Sequence, residues 1–553
     1  MKTNTANKWI GQIARPHTGG LAALSVISGL MAGGMVLFAL LSRRVIDTAT
    51  GVVEGNLWHW GAALLALVVA EALLNALSGT LRVRLSGRMD IRIRDTVTAA
   101  LFRKRWQEVK EYHSGELLNR LTSDSRVVVS ALVTLIPQLM GMGVRLLACV
   151  AVLATVDLRF TLILVGAGLL MVLSTRMYGK RMKSLHKECQ TEDGKVKSFT
   201  QESLANWTVI QSFSGADAVR KRLRQGMDRH LAAEVRRARW SNLAQGGIYL
   251  LFNGSYYGAL LWGAMGLMAD TLTFGTFTAF LQLVGQLRIP FMNLSGVLPQ
   301  YYNMLASAER LLELLHLPEE PRREQPLAAE ELYSRLDTLE VEEVTFAYDW
   351  EAPVLTDAAL TIKKGEFVAI TGHSGIGKST LFQLLLGFYT PQEGRLVAQT
   401  EGETLPLGGD TRCLFAYVPQ QNRLTSGTVR ENIAFCCGDV TDEAVWAAAE
   451  TACVDEAIRA LPEGLDTVLG ERGTGLSEGQ LQRLAIARGV LSGAPILLLD
   501  EVTSSLDEAT EARVLRNLRA LSGRTCLCIS HRPAAMEVCD RVIRLEKGQF
   551  VEE

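Results

Sequence analysis

The chain has 553 residues, 48% hydrophobic and 21% charged, and its 57 Lys+Arg against 58 Asp+Glu leave a formal net charge of -1. That composition excludes disorder, collagen-like repeats and coiled coils, and the charge balance excludes the global basic field of a nucleic-acid-binding protein. A mean hydropathy of +0.15 points to membrane spans.

Apolar stretches fall at 21–41, 60–77, 131–156, 160–173, 247–268 and 274–297, each approaching the ~20 residues that cross a bilayer as a helix. Six transmembrane helices are therefore expected. The first stretch is no cleavable signal peptide, because it lacks a small-residue cleavage site and runs into Arg43 and Arg44. Two connections, 81–126 and 175–239, are long and rich in Arg and Lys, whereas the turns 157–159 and 269–273 hold a single basic residue between them. The positive-inside rule places the long connections and both termini in the cytoplasm, with Arg43 and Arg44 as an exception on the opposite side. Neither long connection has a cluster of turn residues, and both are rich in Leu, Arg, Lys, Glu and Ala, which predicts helical extensions of the spans. The spans also carry polar residues: Gln282, Gln286, Asn293 and Gln300 on the sixth, Tyr249, Asn253, Tyr256 and Tyr257 on the fifth, Glu71 and Asn75 at i,i+4 on the second, and Arg145 on the third. Glu71 and Arg145 should face a cavity or each other, since lipid exposure is unfavourable for both.

Prolines and charges at 317–326 (LPEEPRREQP) mark a linker. The predicted division is a membrane domain over 1–316, a linker over 317–335 and a soluble domain over 336–553. The nine cysteines are scattered, without the paired spacing of a zinc site or a disulfide framework, which suits reduced thiols facing a cytoplasm.

In the soluble half, a buried-strand pattern at 367–371 (FVAIT) runs into 372–380 (GHSGIGKST) and then an apolar helical run. This is a P-loop in its strand-loop-helix setting. Its glycines let backbone N–H groups curl around phosphates, Lys378 reaches the β and γ phosphates, and Ser379 can ligate Mg²⁺. A second strand, 496–499 (ILLL), delivers Asp500 and Glu501 at its carboxyl end, where doubly wound sheets place their ligands. That pattern suits Asp500 to a water-mediated Mg²⁺ contact and Glu501 to the role of general base.

The stretch 476–480 (LSEGQ), followed by 481–488 (LQRLAIAR), resembles the signature of ABC transporters. Other elements of that family stand in order around it. Tyr348 resembles the aromatic A-loop residue that stacks on adenine, Gln420 the Q-loop glutamine, 470–473 (GERG) the exporter-type X-loop, 504–507 (SSLD) the D-loop, and His531 the switch histidine. Six spans before one ATPase domain resemble an exporter-type ABC half-transporter over essentially the whole chain, and 112–124 and 201–213 resemble the surroundings of its two coupling helices. The second would dock on a partner's ATPase domain.

The resemblance implies an all-α polytopic membrane domain with long cytoplasmic extensions, followed by an α/β P-loop ATPase domain. It implies catalytic roles for Glu501, His531 and Gln420. ATP contacts are implied at Tyr348, Gly372, His373, Ser374, Gly375, Ile376, Gly377, Lys378, Ser379, Thr380, Ser477, Gly479, Gln480 and Asp507, and Mg²⁺ contacts at Ser379, Gln420 and Asp500. Three residues depart from the family pattern: Glu478 replaces the first glycine of the signature pair, and His373 and Ile376 replace common P-loop residues. The expected function is ATP-driven export or flipping of an amphipathic small molecule, lipid or peptide by a homodimer or heterodimer of half-transporters in a bacterial cytoplasmic membrane. The alternatives are exporter-fold uptake of a metal-chelating siderophore and ATP-gated regulation without transport. No nucleic-acid partner is expected.

Overall fold

The computed structural model describes residues 2–553 except 322–327, 349–351, 421–423, 436, 439, 471–474, 504 and 522, and it leaves aside the side chains at 2–4, 169–180, 183, 244, 245, 248, 252, 292, 294, 295 and 298. The chain forms two compact units, 1–101 with 113–316, and 102–112 with 317–553.

The first unit is helical. After α1 (Lys2–Ala14) come α2 (Thr18–Ala49) and α3 (Leu57–Leu101); α4 (Trp106–Lys110) belongs to the second unit; then follow α5 (Ser114–Asn119), α6 (Ser125–Val156), α7 (Leu158–Ala205), α8 (Trp207–Ser212), α9 (Ala216–Met268) and α10 (Phe274–Leu315). Each of the six expected spans lies in one long helix. Among the described residues, Thr5–Ala49, Leu57–Leu101 and Ser114–Val156 are long and apolar enough to cross a membrane. The 45 residues of α3 reach about 67 Å at 1.5 Å per residue, roughly twice the ~30 Å hydrocarbon core. The long connections are thus helical extensions, interrupted at 102–113 and 206–215.

Packing between these helices is aromatic at one end and ionic at the other. Trp262 lies against Phe280 (4.8 Å between ring centroids) and Phe160 (5.5 Å), in a cluster that includes Leu153 and Leu283. Toward the opposite end, buried Asp124 accepts hydrogen bonds from Ser307 (2.9 Å) and Arg310 (2.8 and 2.5 Å), while Arg120 donates to the Arg310 carbonyl (2.9 Å) and pairs with Glu116 and Glu313. The exceptional Arg43 also has a local reason. It pairs with Asp47 (3.4 Å), which is buried and accepts from the backbone N–H of Gly275 (3.1 Å) at the start of α10. A Cβ at Gly275 would lie 2.5 Å from that carboxylate, so only glycine admits the contact.

The second unit is a layered α/β body. In chain order it contains α11 (Ala329–Ser334), β1 (Leu336–Phe346), β2 (Leu355–Lys363), β3 (Phe367–Thr371), α12 (Lys378–Leu385), β4 (Glu393–Thr400), β5 (Glu403–Pro406) and β6 (Phe415–Val418). There follow β7 (Gly427–Thr428), α13 (Val429–Ile433), α14 (Asp442–Thr451), α15 (Asp455–Arg459), β8 (Val468–Leu469) and α16 (Glu478–Leu491). The chain ends with β9 (Ile496–Asp500), α17 (Glu508–Ala520), β10 (Thr525–Ile529), α18 (Pro533–Val538), β11 (Arg541–Glu546) and β12 (Gln549–Glu552). One sheet runs β12-β11-β3-β10-β9-β6 and a second runs β2-β1-β4-β5. β3, β9 and β10 are buried at every position and pair in parallel, the continuous apolar pattern of a sheet covered on both faces. The 317–335 stretch read as a linker contains α11, whose Leu332 and Tyr333 enter the core beside β1. The loop 102–112, expected within the membrane domain, joins this unit through Arg105 N–H to the Pro318 carbonyl (3.0 Å) and Glu320 N–H to the Arg103 carbonyl (2.9 Å).

Candidate functional site

The parallel register brings the P-loop strand, the Asp500 strand and the His531 strand level at one edge: Ile529 of β10 pairs with Ile370 of β3 on one side and Asp500 of β9 on the other, and Val418 of β6 pairs with Leu499. The next residues of each strand therefore converge at its carboxyl end, where such sheets bind ligands.

The loop after β3 is held open by Gly372, Gly375 and Gly377, all at positive φ (136°, 80° and 114°). A Cβ at Gly377 would fall 2.2 Å from Val354 Cγ1, so any other residue there collides as well as straining the backbone. The loop delivers the chain to the first turn of α12, whose leading N–H groups have no intrahelical partner and favour an anion. Lys378 is buried at 4% exposure. Its Nζ donates to the carbonyls of Gly372 (2.6 Å) and His373 (3.0 Å), and burial holds the ammonium below its ordinary 10.5 while Glu501 and Asp500 pull it back. A phosphate oxygen would give this cation a charged acceptor in place of two carbonyls.

Ser379 Oγ donates to Asp500 Oδ1 (2.9 Å), and Tyr417 OH donates to Asp500 Oδ2 (3.0 Å). Burial raises the Asp500 carboxyl above its ordinary 3.8, with the Ser379 and Tyr417 bonds opposing that rise. Ser379 Oγ and the carboxylate are hard oxygen donors, so the pair fits a divalent cation such as Mg²⁺. Glu501 sits at φ +50°, a left-handed conformation that is unfavourable for a residue with a Cβ. Its backbone N–H bonds the Ile529 carbonyl (3.1 Å), and Gln420 Nε2 donates to Glu501 Oε2 (2.7 Å). His531 is held below its ordinary 6.5 by burial and by the charge of Lys378, with Glu501 opposing. The imidazole is therefore neutral at pH 7 and able to donate one hydrogen bond while accepting another.

Tyr348 shares a hydrogen bond with Thr380 Oγ1 (3.0 Å) and donates to Gln383 Oε1 (3.1 Å), which fixes its ring beside the first turn of α12. Tyr389 meets that ring edge-on at 5.2 Å. Lys110 of α4 lies over both rings, 5.5 Å from the Tyr348 centroid and 5.4 Å from that of Tyr389, and donates to Tyr389 OH (2.7 Å).

Ser477, Gly479, Gln480 and Asp507 form a separate cluster. Ser477 caps α16: its Oγ accepts from Gln480 N–H (3.3 Å) while Gln480 Oε1 accepts from Ser477 N–H (2.8 Å), so the Gln480 side chain, expected at nucleotide, also completes the cap. Gly479 packs on the D-loop, where a Cβ would meet the Ser505 carbonyl at 3.1 Å, and Ser505 N–H is accepted by Gln482 (3.3 Å). Asp507 accepts from Thr510 N–H (2.9 Å) as the cap of α17. Among the described residues, no hydrogen bond joins this cluster to 372–380. Residues 471–473 of the X-loop and Ser504 of the D-loop lie outside the described residues. The residues expected to contact nucleotide thus fall into two separate groups in this chain, one around 372–380 and one at the start of α16.

The ABC transporter transmembrane region matches residues 21–291 and the ABC transporter ATPase model matches 355–504. A fatty acid ABC transporter ATP-binding/permease protein of Mycobacterium bovis is 30% identical over 98% of this chain and 86% of its own length. The chain belongs to the ABC transporter family. An ATP-dependent lipid A-core flippase of Chromobacterium violaceum is 32% identical over 100% of this chain and 95% of its own length. The structure of a bacterial Atm1-family ABC exporter with ATP bound superposes with a TM-score of 0.81 at 24% identity, covering 98% of this chain and 96% of that one. This ABC transporter therefore couples an ATP-binding ATPase domain to a membrane-spanning helical domain, and its half-transporter fold implies pairing with a second half.

Three positions around the 372–380 loop carry no motif. Tyr417 stands on β6 three residues before Gln420, Gln383 lies on α12, and Lys110 reaches the site from another part of the chain. Tyr417→Phe is expected to lower ATPase kcat roughly ten-fold with folding retained, since a hydrogen bond to a charged group contributes about 1.5–3 kcal/mol and ~1.4 kcal/mol is ten-fold in rate. Steady-state ATPase with circular dichroism checks it; an unchanged kcat removes Tyr417 from the positioning of Asp500. Lys110→Ala should raise the KM for ATP about two- to five-fold with little change in kcat, the range of a cation–π contact of ~0.5–1 kcal/mol. An unchanged KM would show that Lys110 does not hold the Tyr348 ring.

Proposed function

We propose that two copies of this chain pair head to tail, the P-loop of each facing the Ser477 end of α16 in the other, and that ATP-driven closing and opening of the pair flips or exports an amphipathic, lipid-like molecule across a bacterial cytoplasmic membrane. The carrying observation is the presence in one chain of both groups of residues with, among the described residues, no hydrogen bond between them. A homodimer then has two equivalent sites. The relatives named for fatty acid and for lipid A-core support a lipid-like cargo, as does a membrane domain whose α10 carries Gln282 and Gln286 among apolar neighbours.

In each site Lys378 and the leading N–H groups of α12 hold the phosphates, and Tyr348 supplies a ring for the base to stack on. Ser379, Asp500 and Gln420 would hold Mg²⁺, which would supply charge neutralisation on the phosphates. Glu501, oriented by Gln420, takes a proton from the attacking water as its oxygen bonds the γ phosphorus and the ADP oxygen leaves. Neutral His531 donates a hydrogen bond to the transferring group. Departure of the phosphate weakens the closed pair, and the membrane helices return.

Glu478 sits exposed at the first position of α16, where a carboxylate offsets the positive end of the helix dipole, an effect of about 0.3–1 kcal/mol. Glu478→Gly should therefore tighten ATP in the paired state two- to five-fold by nucleotide titration; weaker binding would contradict the head-to-tail arrangement.

The test of transport is reconstitution of the wild-type chain alone in vesicles containing a fluorescent phospholipid, with dithionite reporting its leaflet. ATP-dependent redistribution is expected. ATP hydrolysis with no redistribution would overturn the lipid-like cargo.

A further inference from the structure

Glu511, in the first turn of α17, is a carboxylate at 0% exposure inside the ATPase unit. Its Oε2 accepts from Arg532 (3.1 Å), while Oε1 is buried and, among the described residues, has no hydrogen-bond partner. Arg532 directly follows His531 and stands at the N-cap of α18. Its guanidinium also donates to the carbonyl of Leu506, one residue before the Asp507 cap of α17. Glu511 belongs to the same turn, since its N–H donates to the Asp507 carbonyl (2.9 Å).

A buried carboxylate with one oxygen unpaired contributes little stability: desolvation offsets the attraction of such a pair, and well-packed apolar residues often serve as well. What this pair does fix is a backbone position. His531 is exposed, and among the described residues its imidazole makes no hydrogen bond. The direction of the ring therefore comes from the residues on either side. Ser530 is buried; its N–H donates to the Ile370 carbonyl (3.3 Å) and its Oγ accepts from Arg532 N–H (3.2 Å), which anchors the side toward β10. On the other side the chain is held through the Arg532 guanidinium, bonded to Glu511 and to the Leu506 carbonyl.

Resting on the reading of His531 as donor to the transferring phosphoryl group, we propose that Glu511 and Arg532 are a positioning pair that aims His531 at the γ phosphate. The carboxylate holds the guanidinium, and the guanidinium holds residues 531 and 532 against the turn that opens α17. Phosphoryl transfer depends on such placement, because a small displacement of a positioned group slows the chemical step. ATP binding is untouched by the pair, since Lys378 and the 372–380 loop are held by other contacts.

The test is the Mg²⁺-ATPase rate of the full chain in lipid nanodiscs, measured with γ-labelled ATP so that slow turnover is read, in a double-mutant cycle of Glu511→Gln and His531→Ala. Glu511→Gln is expected to lower kcat about ten-fold, the rate equivalent of one hydrogen bond to a charged group, with the KM for ATP unchanged. In the His531→Ala background the same substitution should change kcat by less than about two-fold, because the ring it positions is gone. Glu511→Leu combined with Arg532→Leu removes both charges together and keeps the fold, and its kcat should match that of Glu511→Gln. A wild-type kcat in either folded variant, a raised KM for ATP, or an equal fold-loss in the two backgrounds would overturn the proposal. A wild-type rate in His531→Ala alone would overturn the role of His531 and the proposal with it, a failure distinguishable because it appears with Glu511 intact.

Discussion

Lys378→Ala is expected to weaken ATP binding by two to three orders of magnitude. The ammonium is buried beside Asp500 and Glu501, and its loss leaves two carboxylates facing a triphosphate without the cation between them. Removing one partner of a buried charged set costs about 3–5 kcal/mol, and each ~1.4 kcal/mol is ten-fold in affinity. The fold should survive, because the loop is shaped by Gly372, Gly375 and Gly377 and the lysine bonds only two carbonyls within it. Titration with a fluorescent ATP analogue measures the change, and wild-type affinity in the variant would remove 372–380 from phosphate binding.

Glu501→Gln separates binding from chemistry. The amide has the size of the carboxylate and an oxygen able to accept from Gln420, so the left-handed turn at 501 and the adjoining contacts persist. It cannot accept the proton of the attacking water. General-base catalysis contributes about 10²–10⁴-fold, so kcat should fall by at least 100-fold with nucleotide affinity unchanged and nucleotide retained in the closed pair. More than a few per cent of the wild-type rate would assign the base elsewhere.

The candidate ATP site was legible as a pattern because its parts are contiguous: a strand, a glycine loop and a lysine within fifteen residues, and two acids at the end of a second apolar strand. The parallel register then placed them together. Tyr417, Gln383 and Lys110 were not legible, since tertiary packing alone brings their side chains to the candidate site. Arg43 looked like a topological exception because its partner, Asp47, is fixed by a backbone N–H on α10. Gln480 carried a second role in the sequence pattern that only the capping geometry of α16 displays. In the membrane half, periodicity located the helices and their polar residues, but whether a glutamine bridges helices or faces a cavity depends on individual atoms, and Gln286 does one with its nitrogen while its oxygen has no partner.

The most direct measurement is the Mg²⁺-ATPase rate of this chain, purified alone in lipid nanodiscs, as a function of ATP concentration. Two equivalent composite sites predict steady turnover that disappears in Glu501→Gln and rises cooperatively with ATP. A folded chain that binds ATP yet shows no turnover alone would contradict the self-sufficient pair and require a different second half.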